Sequence, residues 1–282
     1  MNVVAPVKFI SKEQGGAALE VESVFGESTV TSALARSPLK LLTPRARGRS
    51  VWACTSSFGG GLVAGDQTRL DLRLNKNTRC FLGTQASTKI YRNPSHRPCG
   101  HVTHATLAEN SLLVFAPDPV QAFAGSSYSQ RQEFHLAENA GLVLLDWFTS
   151  GRAARGERWE FSRFKSRNDV FAAGERIFLD SIALDSADGS LPSPMRAGRF
   201  NCFAVLLLVG EPLQVAANQL LERMSEKPVE RKSPLVASAS PIRNGAVLRV
   251  AGEQVEAVGR EFHHHLDFLT EILGDDPWAR KW

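Results

Sequence analysis

Ser57-Phe-Gly-Gly-Gly-Leu-Val-Ala-Gly-Asp66 runs straight into Gln67-Thr-Arg-Leu-Asp-Leu-Arg-Leu74, and the second half of this stretch decides the fold class. Leu70, Leu72 and Leu74 alternate with Arg69, Asp71 and Arg73. That period of two puts the leucines on a buried sheet face and the charges in solvent, so the segment is a strand. The turn before it carries Gly59, Gly60, Gly61 and Gly65, which permit positive φ angles or a close backbone approach, and Asp66 can tie the turn to one of its own amides. Local chemistry argues against a phosphate-binding loop. Such a loop needs Lys and then Ser or Thr after its last glycine, with a helix N-terminus to receive the anion. Here Asp66 and Gln67 take those places and a strand follows.

Short apolar or alternating runs bounded by turn residues recur around this strand. Val51 to Ser56, Arg79 to Gly83, Val102 to Leu107, Gln130 to Leu136, Gly141 to Trp147, Trp159 to Arg163 and Ile177 to Leu184 read as strands. Phe203 to Val209 reads as a buried strand, too short to cross a bilayer. The fold class expected is mainly β, with two helices in the C-terminal half. Leu213, Ala216, Ala217, Leu220, Leu221 and Met224 form one stripe between Pro212 and Lys227-Pro228, and Phe262, Leu266, Leu269 and Leu273 recur at helical spacing from Arg260 to a stop at Gly274. A chain of 282 residues can hold one large core, and no linker forces a split, so residues 1–282 are expected to form a single domain. Residues 185–198, rich in Ser, Asp, Gly and Pro, are expected to form a surface loop.

The net charge of +4, from 33 basic and 29 acidic residues, says little about nucleic acid. Two local arrays say more: Arg36, Lys40, Arg45, Arg47 and Arg49, and then Arg152, Arg155, Arg158, Arg163, Lys165 and Arg167. Trp159, Phe161 and Phe164 interleave the second array and could stack on bases. Trp159 and Phe161 alternate with Arg158 and Glu160, however, which makes the rings core and the charges a solvated or docking face. The first 25 residues contain Lys8, Lys12, Glu13, Glu20 and Glu22 and no apolar signal region, and Cys54, Cys80, Cys99 and Cys202 lack zinc-site spacing. A reducing, cytoplasmic setting without membrane insertion is the expectation.

His96, Cys99, His101 and His104 fall within nine residues and could hold nickel or zinc, although on a strand His101 and His104 point to opposite faces. His263, His264 and His265 cannot all share one helix face. There is no His-Glu-x-x-His, Gly-x-Ser-x-Gly or close Cys-x-x-Cys pattern, so no enzyme is indicated. A β-rich hydrolase with dispersed acidic residues and a basic nucleic-acid-binding module stay open as alternatives at this level.

Four ordered blocks carry a resemblance. Gly59 to Asp66, Thr84-Gln-Ala-Ser-Thr-Lys-Ile-Tyr-Arg92, Phe115-Ala-Pro-Asp-Pro-Val120 and Gly151-Arg-Ala-Ala-Arg-Gly-Glu157 resemble the signature segments of the urease accessory protein family UreD (UreH), with further likeness around Ala246 to Arg249. The resemblance implies an elongated fold of stacked β-sheets with right-handed β-helical character. It also implies a non-enzymatic maturation factor that joins UreF and the GTPase UreG and assists nickel insertion into apo-urease, with no tightly bound cofactor and at most transient Ni2+. On that reading Asp66, Lys89, Arg92, Arg152 and Glu157 are candidates for partner binding or for a carboxylate-lined nickel route. Gly151 and Gly156 would shape a turn that an Arg152–Glu157 ion pair fixes.

Overall fold

The computed structural model describes residues 14–45 and 48–279. Eighteen strands among these residues form two stacked sheets. The first sheet runs, in spatial order, β2 (Glu27–Ala35), β1 (Gly16–Val24), β6 (Gln67–Leu74), β9 (Gly100–Leu107), β12 (Ser127–Leu136), β14 (Arg163–Ala172) and β15 (Glu175–Asp185). The second runs β3 (Leu39–Leu42), β4 (Val51–Ser57), β7 (Arg79–Thr84), β10 (Leu112–Ala116), β13 (Gly141–Thr149), β16 (Cys202–Val209), β18 (Gly245–Gly252) and β17 (Leu235–Ile242). Three short strands, β5 (Gly61–Leu62), β8 (Thr88–Ile90) and β11 (Val120–Ala122), close one side by pairing with each other and with β13.

The chain visits these surfaces in rotation. It passes through β6, β7 and β8, then β9, β10 and β11, then β12 and β13, and each strand pairs in parallel with its counterpart one coil earlier. This is a solenoid, as the resemblance implied. Its first corner is built the same way three times: Leu74-Asn-Lys-Asn77, Leu107-Ala-Glu-Asn110 and Leu136-Ala-Glu-Asn139 each place the last Asn at φ between 54° and 58°. Asn tolerates that left-handed turn better than other residues with a Cβ. The corners also stack, with the Asn77 amide donating to Glu109 and the Asn110 amide to Glu138.

Both expected helices form, with one correction. After a short turn over Glu211–Leu213, α1 (Gln214–Glu226) buries Ala216, Ala217 and Leu220. The run from Arg260 to Leu273 is not one helix: α2 (Val255–His265) ends where the Leu266 amide bonds to the His263 carbonyl, and α3 (Leu269–Leu273) follows. Val258, Phe262, Leu266, Leu269 and Leu273 are all buried against the outer face of the second sheet, so the spacing was right and the break lets the chain follow the sheet.

Trp159 to Arg163 is a second correction. Trp159 has φ 57°, its amide bonds to the Ser150 carbonyl, and pairing begins only at Arg163. The aromatics are nevertheless core, with Trp159, Phe161 and Phe164 packed beside Phe148. The 185–198 segment links the two sheets and drops Leu191 into the same cluster. Arg47 of the first basic array, and Lys8, Lys12 and Glu13, lie outside the described residues. Among the described residues no helix is long and apolar enough to cross a membrane.

Candidate functional site

The space between the two sheets changes character along the strands. At one end Leu72, Leu74, Leu107, Phe134, Leu136 and Val170 of the first sheet meet Leu113, Leu142 and Leu144 of the second in an apolar cluster. At the other end Tyr128, Phe148, Phe161 and Phe164 form an aromatic cluster. Between them two inward rows of the first sheet are polar. Thr68, His101, Gln130 and Ser166 lie in register on successive strands, and Thr103, Gln132, Asn168 and Asp180 form the next row.

Asp146 of β13 faces this band from the second sheet. Gln130 Nε2 donates to its Oδ1 at 2.7 Å, while Ser166 Oγ and Asn168 Nδ2 each donate to its Oδ2 at 2.7 Å. Burial raises the carboxyl pKa; the three hydrogen bonds oppose that, and the charge of Asp180 adds to it. Gln132 Nε2 donates to Asn168 Oδ1 at 2.8 Å, which orients the Asn168 amide toward Asp146. His101 sits between Thr68 Oγ1 at 2.8 Å and Thr103 Oγ1 at 3.0 Å, and burial lowers its pKa to about 4. The imidazole is therefore neutral at pH 7.

Two cavities meet at Asp146. One, of about 230 Å3, is lined by Thr68, His101, Gln130, Gln132 and Asp146 and reaches Ser57, Gly60, Thr84 to Thr88 and Asp118. The other, of about 430 Å3, lies beyond Asp146 and is lined by Asp180, Ser181, Ser238 and Arg249. Arg249 donates to Asp180 at 2.9 Å at that end. Apolar side chains, Phe203, Val205 and Val236 among them, make up most of the second wall, and each cavity is large enough for several waters held at its polar groups.

The sequence blocks surround the first cavity. Coil stacking sets Gly61 beside Lys89 and Val120 beside Thr88, so residues from three of the four blocks line one mouth. The approach is tight: a Cβ on Gly61 would collide with the Lys89 carbonyl. Tyr91 donates to the Gly59 carbonyl at 3.0 Å, and Thr84 Oγ1 bridges Asp118. The fourth block attaches through Gln121, whose amide donates to the Gly151 carbonyl at 3.2 Å. Arg152 Nε donates to Glu157 Oε2 at 2.8 Å, the other Glu157 oxygen accepts from the Ala124 amide, and the guanidinium covers Phe123. Burial pushes the Glu157 carboxyl up, but these bonds outweigh it and hold the pKa below its ordinary value. Lys89 and Arg92 are exposed and line neither cavity, Lys89 pairing with Gly61 and Arg92 lying against Gly125, and Gly156 takes φ 80° at the end of its turn.

Asp66 lines neither cavity. Its Oδ2 accepts from the Val63 amide at 2.8 Å, which closes its own turn. Nor do the four nearby metal-ligand candidates converge. His96 is exposed in a loop, Cys99 is buried with its thiol pushed up to about 11, His101 faces inward and His104 outward. Sequence reasoning missed Asp146, Gln130, Gln132, Ser166 and Asn168. The available signal was that Ser129 to Glu133 of β12 and Lys165 to Asp169 of β14 are polar on both faces.

The model of a family described as UreD urease accessory protein matches residues 13–282. The chain is 47% identical to Urease accessory protein UreD of Sorangium cellulosum (strain So ce56), over 95% of this chain and 84% of that protein. It is 37% identical to Urease accessory protein UreD of Anaeromyxobacter sp. (strain Fw109-5), over 94% and 89%. Against Urease accessory protein D of Arabidopsis thaliana the identity is 31%, over 92% and 98%.

Proposed function

The chain belongs to the UreD urease accessory protein family, and from that premise we propose that it serves urease maturation as a scaffold whose inter-sheet band passes nickel toward apo-urease. UreF and the GTPase UreG are the proposed partners, and nickel is cargo. The observation that carries the reading is the position of Asp146, which lines both cavities and is the buried carboxylate where they meet. A hydrated cation crossing between apolar clusters needs oxygen donors and neutralising charge along its path. Gln130, Gln132, Ser166, Asn168 and the hydroxyls around His101 supply the former, and Asp146, whose pKa burial raises, supplies the latter by giving up its proton as the cation arrives. The neutral His101 adds no repelling charge.

The alternatives explain less. A hydrolase needs an acid and a base free to meet substrate. Asp146 and Asp180 do line one cavity, yet Asp180 is bound to Arg249 and Asp146 to three neutral donors. In the second basic array, Arg152, Arg158, Arg163 and Arg167 are each engaged by acids or carbonyls of the fold, which does not favour phosphate contacts.

Asp146→Asn tests the proposal. Co-purification with UreF, UreG and apo-urease should be retained and nickel-dependent urease activation should fall at least tenfold. Normal activation by a folded, assembled variant removes Asp146 from the route, and failure of the unmodified chain to co-purify with these partners removes the scaffold role.

A further inference from the structure

The outer face of the first sheet carries a second constellation, away from the inter-sheet band. His104 on β9 lies in register with Glu133 on β12, and His135 is two residues beyond Glu133 on the same face. Neighbouring strands bring side chains of one face to about 5 Å, and alternate residues of one strand to about 7 Å. The three side chains therefore stand at the corners of one small triangle. Their donor atoms, an imidazole nitrogen from each histidine and a Glu133 oxygen, all lie within 4.8 Å of one another. All three residues are partly buried.

We propose that His104, Glu133 and His135 bind one divalent late-transition-metal ion of the nickel or zinc class. Imidazole nitrogen with carboxylate suits such ions and disfavours magnesium, which prefers oxygen alone. Bonds of about 2.0–2.1 Å place ligand atoms roughly 3–3.5 Å apart, so no edge of the triangle, at 4.8 Å or less, needs to contract by more than about 1.3–1.8 Å. One edge is already shorter than this: His135 Nε2 lies 2.7 Å from Glu133 Oε1. The metal would replace that hydrogen bond.

The surroundings prepare the site. His135 stacks on Phe171 with ring planes 5° apart and centroids at 4.8 Å, which holds the ring in place. Asp71 lies in register beside His104 and is held by Arg69, and Asp169 lies in register beside Glu133 and is held by Arg167. Arg131 contacts both Glu133 at 3.2 Å and Asp169 at 3.9 Å, so it can leave Glu133 to the ion and stay paired with Asp169. The site does not depend on the proposed nickel route, because it lies on the opposite face of the sheet from His101.

Calorimetric titration of the full chain with Ni2+, Zn2+ and Mg2+ salts, each alone, is the test. Compared with the unmodified protein, His104→Gln and His135→Gln should each lose one equivalent of Ni2+ and Zn2+, or bind that equivalent at least 10–100-fold more weakly, with no Mg2+ counterpart. Unchanged stoichiometry and affinity in both variants, shown folded by circular dichroism and melting, overturns the site. Ring NMR of the unmodified protein gives a second reading that needs no variant. Selective broadening of His104 and His135 at one equivalent of Ni2+ supports the site, and broadening confined to other histidines overturns it.

Discussion

The same strands build two different interiors. Toward their ends β6, β9, β12 and β14 contribute Leu72, Leu74, Leu107, Phe134, Leu136 and Val170 to a dry layer, and a few residues earlier they contribute Thr68, His101, Gln130, Ser166 and Asn168 to a wet one. Backbone pairing is continuous through both. The dry end gains free energy from apolar burial and close packing. In the wet end each buried polar atom needs a partner to offset its desolvation, so the net gain is small. A band that is polar across four strands and adds little stability is what the proposed cation route requires.

The contrast can be broken most forcefully at the dry end. Phe134 is fully buried against Phe115, and Phe134→Ala should cost about 3–5 kcal/mol in urea unfolding. A loss below 1 kcal/mol would show that this end is not the stabilising one. At the wet end the effect should be conditional on pH. The folded His101 has a pKa of about 4 against an ordinary 6.5, so between those values the unfolded chain binds a proton that the native chain refuses. Stability is therefore complete above pH 6.5 and is lost as pH falls toward 4, by up to about 3 kcal/mol at 1.36 kcal/mol per unit. His101→Gln should flatten that part of the stability curve, and an unchanged slope would remove His101 as its source.

The smallest effect is expected outside both layers. The Arg152–Glu157 pair is held at a turn with Arg152 39% exposed, so solvent screening limits Arg152→Ala to about 1 kcal/mol. Because the folded Glu157 pKa is depressed, the pair's contribution is present above about pH 4.5 and fades as pH falls through the lower folded value. Thermal melts at pH 7 and pH 3 should show the difference between variant and unmodified protein shrinking. A constant difference would assign the effect to lost packing on Phe123 instead.

Much of this architecture could be read from residues alone. Alternation in Gln67 to Leu74 identified a strand and its buried face, and the stripes after Pro212 and up to Leu273 identified helical segments. Other signals were present and overlooked. The Leu-x-x-Asn corner recurs at Asn77, Asn110 and Asn139 and marks the coils, and the two-faced polarity of β12 and β14 marks the wet band. The failures were local rules applied beyond their reach. Trp159 to Arg163 alternates like a strand, but its backbone bonds to Ser150 and Gly125 rather than to a neighbouring strand.

Residue order alone settles which face of a strand is apolar, because a period of two is a property of one strand. It does not settle which strand lies alongside, because parallel coils pair residues about thirty positions apart and any strand of suitable length satisfies the same backbone bonds. Register therefore decided the chemistry here. It set Asp146 against Gln130, Ser166 and Asn168, gathered three sequence blocks around one cavity, and placed His104 beside Glu133.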